Sequence, residues 1–187
     1  MTVKDILILS SELIDRKDLS DYFEKGSSET SIDITDDAKI MLKCYNLIIS
    51  QIISEYYRLT TVEQFNTENG ILEYKNLEKN VFSIVKVMDE NLNKINAKIY
   101  PTKLLTKVNT GYLEYEYIPK EQVLSDNFIF EKTPITNRVV ALGVASEYLF
   151  IKGCFAESEN YNRKFLNAVL SSISKSGKLV IPARKWF

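Results

Sequence analysis

Residues 36–57, DDAKIMLKCYNLIISQIISEYY, constrain the fold of this chain more than any other stretch. Ile40, Cys44, Leu47, Ile48 and Ile52 recur at helical spacing, and Met41, Tyr45, Ile49, Ile53 and Tyr56 widen the same stripe. So broad an apolar face predicts a helix packed on more than one side, the central helix of a body. Thr35 is placed to cap it, with Asp36 and Asp37 at the positive end of its dipole.

Two shorter helices are expected before it. In TVKDILILSSELID, Thr2 and Asp5 stand at capping-box spacing, and Ile6, Leu9 and Leu13 follow helically. RKDLSDYFE adds a second piece, and the polar run KGSSETSIDITD reads as a loop.

From Thr61 the periodicity changes. FSIVKVMDENLNKINAKIY places two β-rich runs around a polar Asp-Glu-Asn turn, which predicts a hairpin. GYLEYEYIP alternates, with Leu113, Tyr115 and Tyr117 on one face and Glu114 and Glu116 on the other. Gly70, Pro101, Gly111 and Pro119 punctuate the region, so residues 61–131 are expected to form a small, half-buried antiparallel sheet.

Helical spacing returns with TPITNRVVALGVASEYLFIKG, where Thr133 precedes a proline at the start and Gly153 marks the stop. AESENYNRKFLNAVLSSIS then sets Tyr161, Phe165, Leu166, Val169, Leu170 and Ile173 on one face. The expected fold class is α+β: a helical bundle body (1–60 and 133–176), an inserted small antiparallel β domain (61–132) and an extended C-terminal arm (177–187).

The arm, GKLVIPARKWF, contains the single tryptophan of the chain. Segments this apolar are rarely left in water at a frayed end. Either the arm straps its own body, or it reaches a neighbour, with Ile181, Pro182, Arg184, Lys185, Trp186 and Phe187 as the partner-binding residues.

Composition narrows the chemistry. The 187 residues contain no histidine, which removes Ser-His-Asp and Cys-His catalysis, histidine metal ligation and histidine pH switching. Cys44 and Cys154 both fall in apolar helical patterns and are expected to be buried hydrophobes in a reducing setting. A net charge of -1 gives no chain-wide attraction for nucleic acid or acidic membranes. No targeting segment is read: ILIL at 6–9 is only four residues, and the apolar stretch 139–151 is interrupted by Ser146 and Glu147 and too short to span a bilayer.

Local motifs fail on their chemistry. SKSGKL lacks the upstream glycine and the hydroxyl residue after the lysine that a phosphate loop requires, and it follows a helix. Asp33, Asp36 and Asp37 lack the spacing and turn glycine of a calcium loop, so helix-end capping is the expected role of Asp36 and Asp37. The Tyr112, Tyr115, Tyr117 strand is interleaved with glutamates, which would repel a phosphate backbone. Glu114 and Glu116 are expected on the water side of the strand, which does not suit an acid–base pair. No catalytic, cofactor-binding or metal site is expected, and the chain reads as a non-enzyme.

LKCYNLIISQIISEYYRLTTVEQFNTENGILEY, RVVALGVASEYLFIKGCFAESENYNRKF and the closing PARKWF together resemble a family from phages and prophages of Gram-positive bacteria. The layout is similar to that of the head-to-tail connector (adaptor) of short-tailed phages. The likeness covers nearly the whole chain in layout, and its motifs are packing patterns. It implies a structural virion protein, assembled in the host bacterial cytoplasm and placed in the neck of the particle. Its implied partners are copies of itself in a ring, expected to be dodecameric, the portal protein, and tail or nozzle proteins. DNA would pass through the channel without sequence-specific binding, and no membrane partner is implied. The alternatives are another tail or baseplate assembly protein, or a soluble protein-binding module encoded by a mobile element.

Overall fold

Thr2 and Asp5 close the expected capping box: Asp5 N–H donates to Thr2 Oγ1 at 3.4 Å, and Thr2 N–H donates to Asp5 Oδ2 at 2.8 Å. They start α1 (Val3–Leu13) in a computed structural model that describes residues 1–26 and 31–176. The chain is a mixture of helices and small antiparallel sheets, divided into two compact units, Met1–Tyr56 with Gln122 onwards, and Tyr57–Glu121.

Among the described residues the first unit holds five α-helices: α1, α2 (Lys17–Lys25), α3 (Ile32–Gln51), α4 (Asn137–Ile151) and α5 (Phe155–Ser176). On α1 the buried face is Val3, Ile6, Leu7, Ser10 and Ser11, rotated from the predicted stripe, with Leu9 and Leu13 only half-buried. The two serines enter the core because their hydroxyls donate to Ile6 O at 2.7 Å and Leu7 O at 2.8 Å, leaving no polar atom unpaired.

Helix α3 begins earlier than Thr35. Ser31 is its N-cap, its hydroxyl accepting from Ile34 N–H at 3.4 Å, so Asp33 lies in the first turn and Asp36 and Asp37 lie beyond it. Met41, Cys44, Tyr45, Ile48 and Ile49 are buried, whereas Leu47 is exposed and Ile40 half-buried. At its end the helix widens into a π-helical turn, Ile52–Tyr56, that keeps Ile52 and Ile53 in the core.

The helix buried all round is α4 rather than α3. Thr136, not Thr133, caps it, its hydroxyl accepting from Val139 N–H at 3.4 Å, and every residue from Val139 to Ser146 is buried. Small residues explain this. A Cβ placed on Gly143 would stand 2.9 Å from Ile48 Cγ2 on α3 and 3.1 Å from Phe165 Cδ2 on α5. A short connection closed by Gly153, at φ 79°, then leads into α5. On α5, Phe165 and Val169 are buried, Tyr161, Leu166 and Ile173 are half-buried, and Leu170 points to water.

Residues 122–136 belong to this helical unit, so its second boundary lies before the expected 132. Tyr45 Oη donates to Gln122 Oε1 at 2.8 Å, Gln122 N–H donates to Asn46 Oδ1 at 2.8 Å, and Val3 N–H donates to Asp126 O at 2.9 Å. Phe128, Phe130 and Ile135 are buried. Among the described residues no helix is long and apolar enough to cross a membrane.

The second unit carries two three-stranded antiparallel sheets. One is ordered β1 (Thr60–Asn66), β6 (Thr110–Ile118), β3 (Asn80–Met88); the other is β2 (Ile71–Glu73), β5 (Lys103–Leu105), β4 (Lys98–Ile99). The predicted hairpin over 82–100 does not form as a strand pair. β3 pairs with β6 and β4 with β5, and only the isolated bridge Met88–Lys94 joins the two arms of the turn. Asp89 accounts for it: its Oδ1 accepts from Asn91 N–H at 2.9 Å and Asn93 N–H at 2.8 Å, while Leu92 takes φ 64°, so the chain leaves the ladder.

On β6 the predicted alternation holds, with Leu113 and Tyr115 buried and Glu114 and Glu116 on the other face. On β3 the alternation is broken by two register shifts, between Val81 and Ser83 and between Ile84 and Lys86. Each leaves one residue unpaired, so the inward period becomes three and Val81, Ile84 and Val87 oppose Tyr117, Tyr115 and Leu113. The core is Phe65, Leu72, Val87, Leu104, Leu113 and Tyr115.

Candidate functional site

The six residues predicted to bind a partner, Ile181, Pro182, Arg184, Lys185, Trp186 and Phe187, lie outside the described residues. The rest of the molecule offers three places where unusual chemistry or unusual exposure gathers.

The first is a polar clasp inside the helical unit. Asp37, on α3, has a side chain only 13% exposed and accepts from Arg16 Nη2 at 3.0 Å, Tyr148 Oη at 2.8 Å and Lys152 Nζ. Arg16 also forks onto Asp18, with Nε–Oδ1 at 2.8 Å and Nη2–Oδ2 at 2.7 Å, and its Nη1 donates to Tyr148 Oη at 2.6 Å. Burial pushes the pKa of Asp37 up, but hydrogen bonds from Lys152, Tyr148 and Arg16 outweigh it and hold the carboxyl below its ordinary range. The Arg16 guanidinium is held above its usual value by its bond to Asp18, against the opposing effect of burial. Burial first, then the Asp37 carboxylate, pushes the Tyr148 hydroxyl up.

Two cations and two anions are thus matched, and the tyrosine hydroxyl both accepts and donates. This arrangement ties the α1–α2 connection, α3 and α4 together; its charges are consumed by one another. The expected capping role of Asp37 is replaced by this long-range one, and Asp36 instead pairs with Lys39 at 2.9 Å. Among the described residues no group of three or more acidic or cysteine side chains could hold a metal ion.

The second place is the edge of the larger sheet. Phe82 and Val85, the two residues left unpaired by the bulges of β3, are each 48% exposed. The Arg58 guanidinium lies over the Phe82 ring at 4.5 Å, and Lys79 lies over Tyr117 at 4.2 Å. A depression of about 420 Å³ runs beside this edge, lined by Tyr74, Phe82, Ile99 and Tyr100 among others. The Tyr74 hydroxyl is buried and without a hydrogen-bond partner. On the other flank Tyr115 Oη donates to Glu63 at 2.6 Å, so that tyrosine is fixed in the core rather than offered for stacking.

The third is the connection between α4 and α5. Phe150, Ile151 and Phe155 are 58%, 50% and 62% exposed, and the two rings meet edge to face at 5.5 Å. Cys154 lies between them and is exposed, contrary to its expected burial, because the Gly153 turn carries it off the helix face; Cys44 is buried as expected. Glu157 and Glu159, in the opening turns of α5, are exposed, and Glu159 lies one turn beyond Phe155 on the same helix face.

Neither the clasp nor the α4–α5 surface was singled out from sequence. Arg16, Asp37, Tyr148 and Lys152 are scattered along the chain and meet only through packing. The exposed aromatics did leave a trace, since Phe150 and Ile151 continue an apolar run already long enough to bury a helix on every side. The sequence matches no protein-family model and no curated protein.

Proposed function

We propose that this chain is a structural assembly protein of a phage particle: a head-to-tail adaptor that forms a ring below the portal, joins capsid to tail and lets DNA pass. In this reading the five helices are a bundle body, residues 57–121 are an inserted β domain, and residues 177–187 are an arm that latches onto a partner. The observation that carries it is the exposed Phe150, Ile151 and Phe155 cluster, in which neighbouring apolar side chains face water together. Such surfaces belong to proteins that complete themselves against another chain. The overall resemblance in layout supplies the place of assembly; the cluster supplies the means.

The body would give lateral contacts and the portal contact, and the β domain would face the tail machinery. No catalytic step is assigned. A near-neutral chain suits a conduit, because a strongly basic wall would grip passing DNA.

Quantitative mass spectrometry of purified particles tests the proposal. A copy number equal to that of the portal protein is the expected result. A different ratio would place the protein elsewhere in the tail, and its absence from particles would leave a soluble binding module as the reading to pursue.

A further inference from the structure

The α4–α5 surface has a definite chemistry: two phenylalanines meeting edge to face and an isoleucine at the centre, with the exposed acid Glu159 one helical turn beyond Phe155 on the same face of α5. One segment of the chain answers it. Residues 180–187, VIPARKWF, bring Val180, Ile181, Trp186 and Phe187 for the apolar centre and Arg184 and Lys185 for the acid. Tryptophan and arginine are the residues in which binding energy most often concentrates, and charged groups work best at the rim of an apolar contact.

Chain length decides whose segment it is. Helix α5 has 22 residues, which at about 1.5 Å each is roughly 33 Å. Trp186 lies ten residues beyond Ser176, an extended reach of about 33–36 Å. To come back to the turn of its own subunit, the segment would have to reverse at once and run fully extended along all of α5. No slack would remain to seat the tryptophan. A neighbouring copy is under no such restriction.

We infer that residues 180–187 of one copy dock on the Phe150, Ile151 and Phe155 surface of the next, with Arg184 and Lys185 facing Glu159. The contact is head to tail, so repetition closes a ring where the rotation between copies allows it and an open chain where it does not. This inference rests on the assembly reading above and names the seat of its latch.

The exposed thiol of Cys154 makes the test direct, because Cys44 is buried and silent. In the full chain, Ala183→Cys, at a position of the segment given no docking contact, is oxidised at high protein concentration, with isotopically labelled and unlabelled protein mixed. The expected result is a ladder of linked chains on a non-reducing gel, with Cys154 of labelled chains joined to residue 183 of unlabelled ones by mass spectrometry. Adding Cys154→Ser removes the ladder. Adding Phe150→Ser and Phe155→Ser, at exposed positions the fold does not need, lowers it about tenfold or more.

A 154–183 link confined to single chains would overturn the inference, as would 154–154 or 183–183 links alone, or no link. Particles carrying the protein at parity with the portal, yet giving no ladder, would keep the adaptor reading and remove this seat. A ladder from a protein absent from particles would do the opposite.

Discussion

The hydroxyl of Tyr148, on α4, donates to the carboxylate of Asp37, on α3, at 2.8 Å while accepting from Arg16 at 2.6 Å. One phenol thereby joins a carboxylate and a guanidinium that stand far apart in the sequence, and it does so at the rim of the helical core. Removing either partner should cost stability through the group left behind. Asp37→Ala leaves Lys152 without its anion and the buried Tyr148 hydroxyl without its acceptor. We expect a loss of about 1–3 kcal/mol, moderated by the partial exposure of both cations. Tyr148→Phe should cost about 1 kcal/mol. Urea midpoints at unchanged m-value check both.

The same clasp sets an acid dependence. Asp37, Asp18 and Asp5 are all held below the ordinary aspartate value of 3.8. For Asp37 three donors overcome burial, for Asp18 the Arg16 fork is the main cause, and for Asp5 it is the Thr2 backbone N–H. A lowered folded value means that the unfolded chain binds more protons in this range. The stabilisation is therefore complete above the unfolded value and is lost as pH falls through the folded ones. Urea midpoints from about pH 7 down to about pH 3 should fall, and less steeply in Asp37→Asn. An equal slope in that variant would remove the clasp from the account.

The two cysteines should differ in reactivity. Burial, reinforced by the negative charge of Glu147, pushes the Cys44 thiol up to about 12, whereas Cys154 is exposed. A thiol reagent at neutral pH should modify one site per native chain, at Cys154, and both in denaturant. Peptide mapping of the labelled protein identifies the site.

Bulges on β3 make an unusual substitution pattern. Phe82→Ser and Val85→Ser remove large apolar side chains from water-facing positions and should change stability by less than about 0.5 kcal/mol. Val87→Ala, in the core opposite Leu113, should cost about 1–3 kcal/mol. Regular alternation would group Val85 with Val87, so equal costs for those two would contradict the register.

Two glycines should resist alanine. A Cβ on Gly111 would lie 2.3 Å from the backbone oxygen of Met88, and one on Gly143 would lie 2.9 Å from Ile48 Cγ2. Gly143→Ala gains up to about 1 kcal/mol of helix propensity but overpacks α4 by about 1–3 kcal/mol, for a net loss. Gly111→Ala should be worse, because a strand backbone cannot yield as a side chain can. Thermal unfolding of both variants gives the comparison.

Local chemistry is what the sequence by itself determined. The Thr2 and Asp5 box, the stop at Gly153, the alternation of β6 and the presence of both helices and small antiparallel strands all depend on residues within a few positions of each other, and they read correctly. Tertiary structure decided what depends on distant partners. It drew the ladder of β3 to β6, because Asp89 captured the turn that would have made a hairpin. It made α4 the central helix, because Gly143 lets Ile48 and Phe165 close in from two sides. It gathered Arg16, Asp37, Tyr148 and Lys152 into one clasp, and left Phe150, Ile151 and Phe155 in water. Hydrophobic periodicity shows that a side chain is apolar and on which face of its element it lies. Whether anything covers that face is settled by the rest of the chain, or by a second one.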